Sequence, residues 1–144
     1  MLQIHDMKKE DLEQVAAIER DSFSMPWSLR SFEEALDNPN AFYVVAEENG
    51  QVAGYCGAYL ILDEADVNQV AVLSSCRNRG IGKKIMKALL LRLEGAGAVA
   101  VTLEVRQSNK AAVALYESLG FVTEGIRKNF YEKPVEDALI MWKR

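Results

Sequence analysis

Apolar residues recur along this chain with two alternating spacings, and the switches between them mark out its elements. Leu2 to Met7 reads as an opening strand, and from Lys9 to Ser22 the residues Leu12, Val15 and Ile18 stand at helical spacing. A second helix is predicted from Ser28, a good N-cap, with Phe32, Ala35 and Leu36 facing inward and a stop before Asn38-Pro39. The runs Phe42 to Ala46 and Val52 to Leu62 flank Asn49-Gly50, a strong tight-turn signal, and so predict an antiparallel hairpin. Val67 to Leu73 makes a third strand of that group. Ile81 to Glu94 then puts Ile85, Met86, Leu89, Leu90 and Leu93 on one helical face and Lys83, Lys84 and Lys87 on another. Gly95-Ala96-Gly97 ends this helix, Val99 to Val105 is a β-branched strand, and Asn109 to Leu119 is a short helix closed by Gly120. Phe121 to Tyr131 and Val135 to Trp142 are the last two strands. The order β-α-α-β-β-β-α-β-α-β-β predicts a mixed sheet with helices on its faces.

Composition narrows what such a fold can do. The 144 residues suit one domain, and without repeats, linkers or low-complexity runs the chain reads as a single unit over residues 1–144. Apolar residues make up 49%, which argues against disorder. With 17 basic and 21 acidic residues the net charge is −4, which disfavours direct binding to nucleic acid or an anionic membrane and favours a basic partner. No stretch is long enough for a membrane span and the first residues lack the pattern of a signal peptide, so a cytoplasmic location is expected. Cys56 and Cys76 have no Cys-x-x-Cys spacing and His5 is the only histidine. No zinc set is legible, no metal is expected, and a general base is sought among the carboxylates.

The strongest chemical constellation is Arg77-Asn78-Arg79-Gly80-Ile81-Gly82-Lys83-Lys84, between a strand and a helix. A helix amino terminus is itself partly positive, so cations clustered there are costly unless an anion arrives. Gly80 and Gly82 would let backbone N–H groups approach it closely. The loop lacks the glycine and the Ser or Thr of a nucleotide P-loop and the third glycine of a dinucleotide fingerprint. A pyrophosphate on another cofactor, or a plain glycine turn with solvated lysines, both remain open. Glu104 is the second signal. It shares a strand face with Ala100 and Thr102, opposite a face formed by Val99, Val101, Leu103 and Val105, and partial burial there would raise its pKa toward that of a useful base. A half-exposed polar strand residue is the alternative. Tyr116 is the third: packing is the usual role of a tyrosine at this spacing, yet a phenol can also protonate a departing thiolate.

Together these features resemble the GNAT acetyltransferases. The resemblance covers essentially the whole chain and rests on the element order, on Arg77-x-x-Gly80-x-Gly82, and on Asn109-x-x-Ala112-x-x-Leu115-Tyr116-x-x-x-Gly120-Phe121. It implies an α/β (α+β) GNAT fold, a mixed, mostly antiparallel seven-stranded sheet flanked by four helices. It also implies acetyl-coenzyme A as cosubstrate, bound by Val70, Ala71 and Val72, by the loop Arg77, Asn78, Arg79, Gly80, Ile81, Gly82 and Lys83, and by Asn109. Ser74-Ser75 stands where relatives often have proline, and Cys76 where an aromatic is common.

Within that family the chain is most similar to the RimI type, which acetylates the terminal alanine of small-subunit ribosomal protein eighteen. Pro26-Trp27-Ser28, Leu103 to Arg106, Leu115 to Phe121, and Ile126 to Tyr131 followed by Glu136-Asp137-Ala138 carry this closer likeness. The resemblance implies Glu104 as catalytic base and Tyr116 as acid, with a protein amino terminus, a basic ribosomal tail, as the acceptor. Trp27, Phe130 and Tyr131 are expected to line its groove. A GNAT enzyme acting on a small amine or another protein terminus, or a noncatalytic acyl-coenzyme A binding domain, are the competing readings.

Overall fold

The computed structural model describes residues 1–144. Its strands are β1 (Gln3–Asp6), β2 (Ala41–Glu48), β3 (Gln51–Ile61), β4 (Glu64–Val72), β5 (Ala100–Arg106), β6 (Val122–Tyr131) and β7 (Glu136–Lys143), and its helices are α1 (Leu12–Ser22), α2 (Leu29–Asp37), α3 (Ile81–Gly95) and α4 (Lys110–Ser118). The strands form one sheet in the order β1-β2-β3-β4-β5-β7-β6. Every pairing is antiparallel except that of β4 with β5. The α/β class, the seven strands and the four helices are those expected from the sequence.

Local chemistry explains most of the boundaries. Ser28 caps α2, its Oγ accepting the Ser31 N–H at 3.1 Å, and the Asn109 side chain caps α4 by accepting the Ala112 N–H at 3.1 Å. Asn49 and Gly50 take φ values of 54° and 79°, the paired positive angles a two-residue hairpin needs. Several boundaries differ from expectation. Lys9 to Asp11 is a 3-10 turn, and α1 proper begins at Leu12. β4 begins at Glu64, three residues before Val67, because its polar first half is held in the hairpin with β3. Val99 precedes β5 and is exposed, so it takes no part in the buried face of Val101, Leu103 and Val105. Phe121 is buried just before β6, and Val135 lies exposed in the β6–β7 turn.

Two apolar clusters sandwich the sheet. On one face Ile81, Ile85, Met86, Leu89 and Leu93 of α3 pack on Val44, Cys56, Val67 and Leu103, joined by Tyr116 of α4. On the other, Leu12, Val15 and Ile18 of α1 and Phe32 of α2 pack on Tyr43, Val45, Tyr55 and Ala71. Each fully buried aliphatic or aromatic side chain in such a layer contributes roughly 1.5–3 kcal/mol.

The feature that makes room for a ligand lies in the middle of the sheet. β4 and β5 pair only from Glu64 opposite Ala100 to Val67 opposite Leu103. At that point the register of β4 against β3 slips, Ala58 facing Val67 and Gly57 facing Gln69, so Asn68 is an extra bulged residue. The bulge bends β4 away, and beyond Val67 and Leu103 the two strands separate. Parallel neighbours that splay leave unpaired N–H and C=O groups along both facing edges.

Candidate active site

The glycine loop stands at the end of the splayed β4. Gly80 is the residue before α3 and sits at φ 75°, with open space where a side chain would project. No side chain caps α3, so its first N–H groups are free for an anion. Gly82, in the first turn, lies where an added Cβ would come within 3.4 Å of Leu115 and 3.7 Å of Val72, so a large side chain there would force α3 off β4. Arg77 folds back, Nε donating to the Val72 carbonyl at 3.3 Å, while Asn78 is exposed in the left-handed region at φ 66°. Ile81 is buried and Lys83 half-buried. Arg79 meets Glu48 of the β2–β3 hairpin at 2.9 Å, so one of the loop's cations already has an internal anion. This corrects the expectation that the whole cluster waits for an external one; 31 residues separate the partners.

Val70 and Val72 face α3, Ala71 faces α1 and is buried, and the β5-side edge of this stretch pairs with no strand. Open glycine, uncapped helix start, basic side chains and free strand edge fit the pyrophosphate and extended amide arm of a coenzyme A. Asn109 follows the end of β5, at the head of α4.

Glu104 is the first residue of β5 beyond the pairing with β4, and it is fixed from the other side by its register opposite Ile140 of β7. Its half-buried carboxylate points to the face opposite the Val101-Leu103-Val105 cluster, where Arg127 Nη1 lies 3.1 Å from Oε2. Asp66 of β4 is close enough that the Glu104 charge adds to burial in raising its pKa, against the lowering effect of Arg127. Tyr116 belongs to the α3-side core, its ring 5.9 Å from Phe121. Burial, with smaller contributions from Cys56 and Tyr131, holds its phenol well above the usual tyrosine value, so it stays protonated through neutral pH and is a weaker acid than a free tyrosine. Tyr131 connects the two: burial and the Glu104 charge push its phenol up to about 12. Glu104 thus stands beside the gap between β4 and β5, and Tyr116 lies in the core layer beneath α3 on the other face of the sheet.

Phe130 and Tyr131 touch each other at 5.0 Å, Phe130 lying exposed under Arg127 and Tyr131 half-buried under Arg106 at 4.4 Å. Trp27 is placed apart from them, half-buried against Phe32 at 5.3 Å and Tyr43 at 6.3 Å. It serves in part as a core aromatic. A side-chain contact links the two segments, the Ser24 hydroxyl of the α1–α2 loop donating to the Glu132 carbonyl of the β6–β7 turn at 3.5 Å.

Several residues that shape this region carry no motif of their own. Arg106 clamps the β6–β7 turn by donating to the carbonyls of Pro134 and Glu132 at 3.0 and 3.1 Å and pairing with Glu136 at 3.3 Å. Arg127 and Asp66 flank Glu104, and Glu19 is buried beside Trp27. Only the local segments around Arg106, Arg127 and Glu136 gave any hint of them. The lone His5 sits on the rim of the sheet, away from this gap, with Nε2 3.1 Å from Glu47 and Asp11 nearby.

A splayed β4–β5 pair with a basic glycine loop at its end and a carboxylate beside its gap fits an acyl-coenzyme A dependent transferase. The chain belongs to the acetyltransferase (GNAT) family, whose model matches residues 12–121. It is 39% identical over 140 residues to a relative in Bacillus subtilis (strain 168), covering 96% of this chain and 93% of that one. A relative in Escherichia coli (strain K12), named a ribosomal protein bS18-alanine N-acetyltransferase, is 36% identical over 142 residues, covering 96% and 94%. The crystal structure of the ribosomal-protein-S18-alanine N-acetyltransferase from Escherichia coli superposes with a TM-score of 0.91 at 34% identity, over 99% of this chain and 93% of that one. No helix is long and apolar enough to cross a membrane.

Proposed function

We propose that residues 1–144 act as one domain that transfers the acetyl group of acetyl-coenzyme A to the amino-terminal alanine of ribosomal protein bS18, in the cytoplasm. The observation that carries the acceptor assignment is the likeness, over nearly the full length of both chains, to an enzyme named for that reaction. The half-buried Glu104 beside the β4–β5 gap supports the chemistry.

Acetyl-coenzyme A supplies the acetyl group as a thioester that an amine can attack. The loop from Arg77 to Lys83 and the free edge of Val70 to Val72 hold it, with Asn109 fixing the start of α4. An amino terminus is largely protonated near neutral pH, so Glu104, directly or through a water, takes one proton and leaves a neutral nucleophile. Backbone N–H groups of the β4 edge are donors for the carbonyl oxygen as negative charge grows on it. Tyr116 Oη gives its proton to the departing sulfur, and the second amine proton, lost as the amide forms, restores the phenol. Trp27, Phe130 and Tyr131 flank the acceptor.

Two measurements test this reading. In competition kinetics an Ala-Arg-initiated peptide is expected to exceed spermidine and free alanine in kcat/KM by about tenfold or more; an equal or better value for spermidine would refute the terminal-acetylation claim. By calorimetry, Gly82→Trp is expected to weaken coenzyme A binding by about tenfold or more, because the ring must displace the contact of α3 with Val72 and Leu115. Unchanged affinity would remove the loop from the binding site.

A further inference from the structure

Glu19 is a carboxylate the chemistry above does not use, yet it is 2% exposed at the heart of the α1 face. Both of its oxygens are engaged. Oε1 accepts the hydroxyl of Tyr55, a fully buried residue of β3, and Oε2 accepts the backbone N–H of Trp27 at 2.9 Å. Burying a carboxylate is costly, and the two hydrogen bonds offset that cost only while both donors stay in place. The donor on the outer side belongs to the segment from Phe23 to Ser28, which has no regular structure. That segment is otherwise tied down by the Phe23 N–H on the Glu19 carbonyl at 3.1 Å, the Trp27 ring on Phe32 and Tyr43, the Ser28 cap on α2, and the long Ser24–Glu132 contact. Glu19 therefore joins the central sheet, α1 and the wall that carries Trp27.

We infer that Glu19 is a positioning residue for the acceptor: through the Trp27 N–H it sets where the α1–α2 loop stands, and thereby how tightly the peptide is held. This rests on the reading of Trp27 as part of the acceptor groove. Charge is not required for the role, since the amide of Glu19→Gln can accept from Trp27 with its oxygen and donate to the Tyr55 oxygen with its nitrogen. Glu19→Ala leaves both donors without a partner.

The test compares Glu19→Ala and Glu19→Gln for peptide KM, kcat and coenzyme A affinity. Glu19→Ala is expected to raise peptide KM by about tenfold or more with kcat and coenzyme A affinity little changed, and Glu19→Gln to restore KM to within about threefold of wild type. Unchanged KM in Glu19→Ala, or no rescue by Glu19→Gln, overturns the inference. If Glu19→Ala does not fold, as judged by lost coenzyme A binding, Tyr55→Phe decides, with a KM rise of about threefold expected and an unchanged KM overturning the role. Acrylamide quenching of Trp27, read in a Trp142→Phe background where it is the only tryptophan, judges the hold on the loop independently of the acceptor. Increased quenching in Glu19→Ala or Tyr55→Phe, reversed in Glu19→Gln, supports it, and equal quenching in all variants refutes it. Should the wild type prefer spermidine, the acceptor reading falls while the quenching result still stands or fails by itself.

Discussion

At the scale of single residues, Glu104, the proposed base, shows how a strand can present a carboxylate. One edge of its backbone is committed to β7 opposite Ile140, while the other faces the gap that opens after Val67 and Leu103. The side chain is rigidly based yet reachable, with Arg127 3.1 Å away as its only ion-pair partner. Charge balance matters here, because Asp66 adds a second carboxylate to the same patch and Arg127 offsets it. Glu104→Gln keeps the shape and the opportunity to hydrogen bond but cannot accept a proton at neutral pH. It is expected to lower kcat by about a hundredfold or more, the usual scale for a lost general base, with coenzyme A affinity unchanged by calorimetry. A Gln variant that turned over like wild type would return Glu104 to a structural role.

At the scale of elements, the amino-terminal strand is held by more than its ladder. His5 Nδ1 of β1 donates to the Asp6 carbonyl, 2.8 Å away, and its Nε2 meets Glu47 of β2 at 3.1 Å with Asp11 of the following turn close by. The backbone bond to Asp6 is the largest influence raising the His5 pKa, burial opposes it, and Glu47 and Asp11 add to the rise. A histidine whose pKa is raised in the folded state contributes stability that is fully present below its unfolded value, about 6.5, and is lost as pH rises through the folded value. The melting temperature of wild type is therefore expected to exceed that of His5→Gln most in mildly acidic buffer, the difference shrinking as pH rises above 6.5. A difference independent of pH would exclude a charged His5 from the staple.

Elements were the level most legible in the sequence. Helical spacing located α1 to α4 and the Asn49-Gly50 turn located the β2–β3 hairpin, since each depends on residues near one another in the chain. The same local logic placed Gly80 and Gly82 at the head of α3 and Glu104 on the more open face of β5. The Asn68 bulge left no mark, because a bulge is a property of pairing with β3 and not of the β4 residues alone. The Arg79–Glu48 and Arg127–Glu104 pairs were illegible for the same reason. Trp27 and Phe130 carried equal weight as aromatics in the sequence, and only the fold separates a ring packed on Phe32 from one left exposed.

At the scale of the whole molecule, charge is sorted by function more than its total of −4 suggests. Arg77, Arg79, Lys83 and Lys84 gather at the head of α3, where an anionic cosubstrate fits, whereas Glu64 and Asp66 stand on β4, the strand that flanks Glu104, with Asp63 in the turn before it. A net acidic molecule with Glu64, Asp66 and Glu104 near the proposed acceptor site draws a basic tail in and works against an anionic one, even with Arg106 and Arg127 over Tyr131 and Phe130. Such attraction acts over a screening length that shrinks from about 10 Å at 0.1 M salt to about 3 Å at 1 M. Raising salt over that range is expected to increase the KM of an Ala-Arg-initiated peptide several-fold while leaving that of a peptide with uncharged residues after the alanine nearly constant. The comparison between peptides removes any general effect of salt on the enzyme, including a weaker grip on the cosubstrate, because both reactions share it. If the two KM values rise together, the acidic side of the molecule has no part in choosing the acceptor, and recognition rests on the terminal residue and the groove aromatics alone.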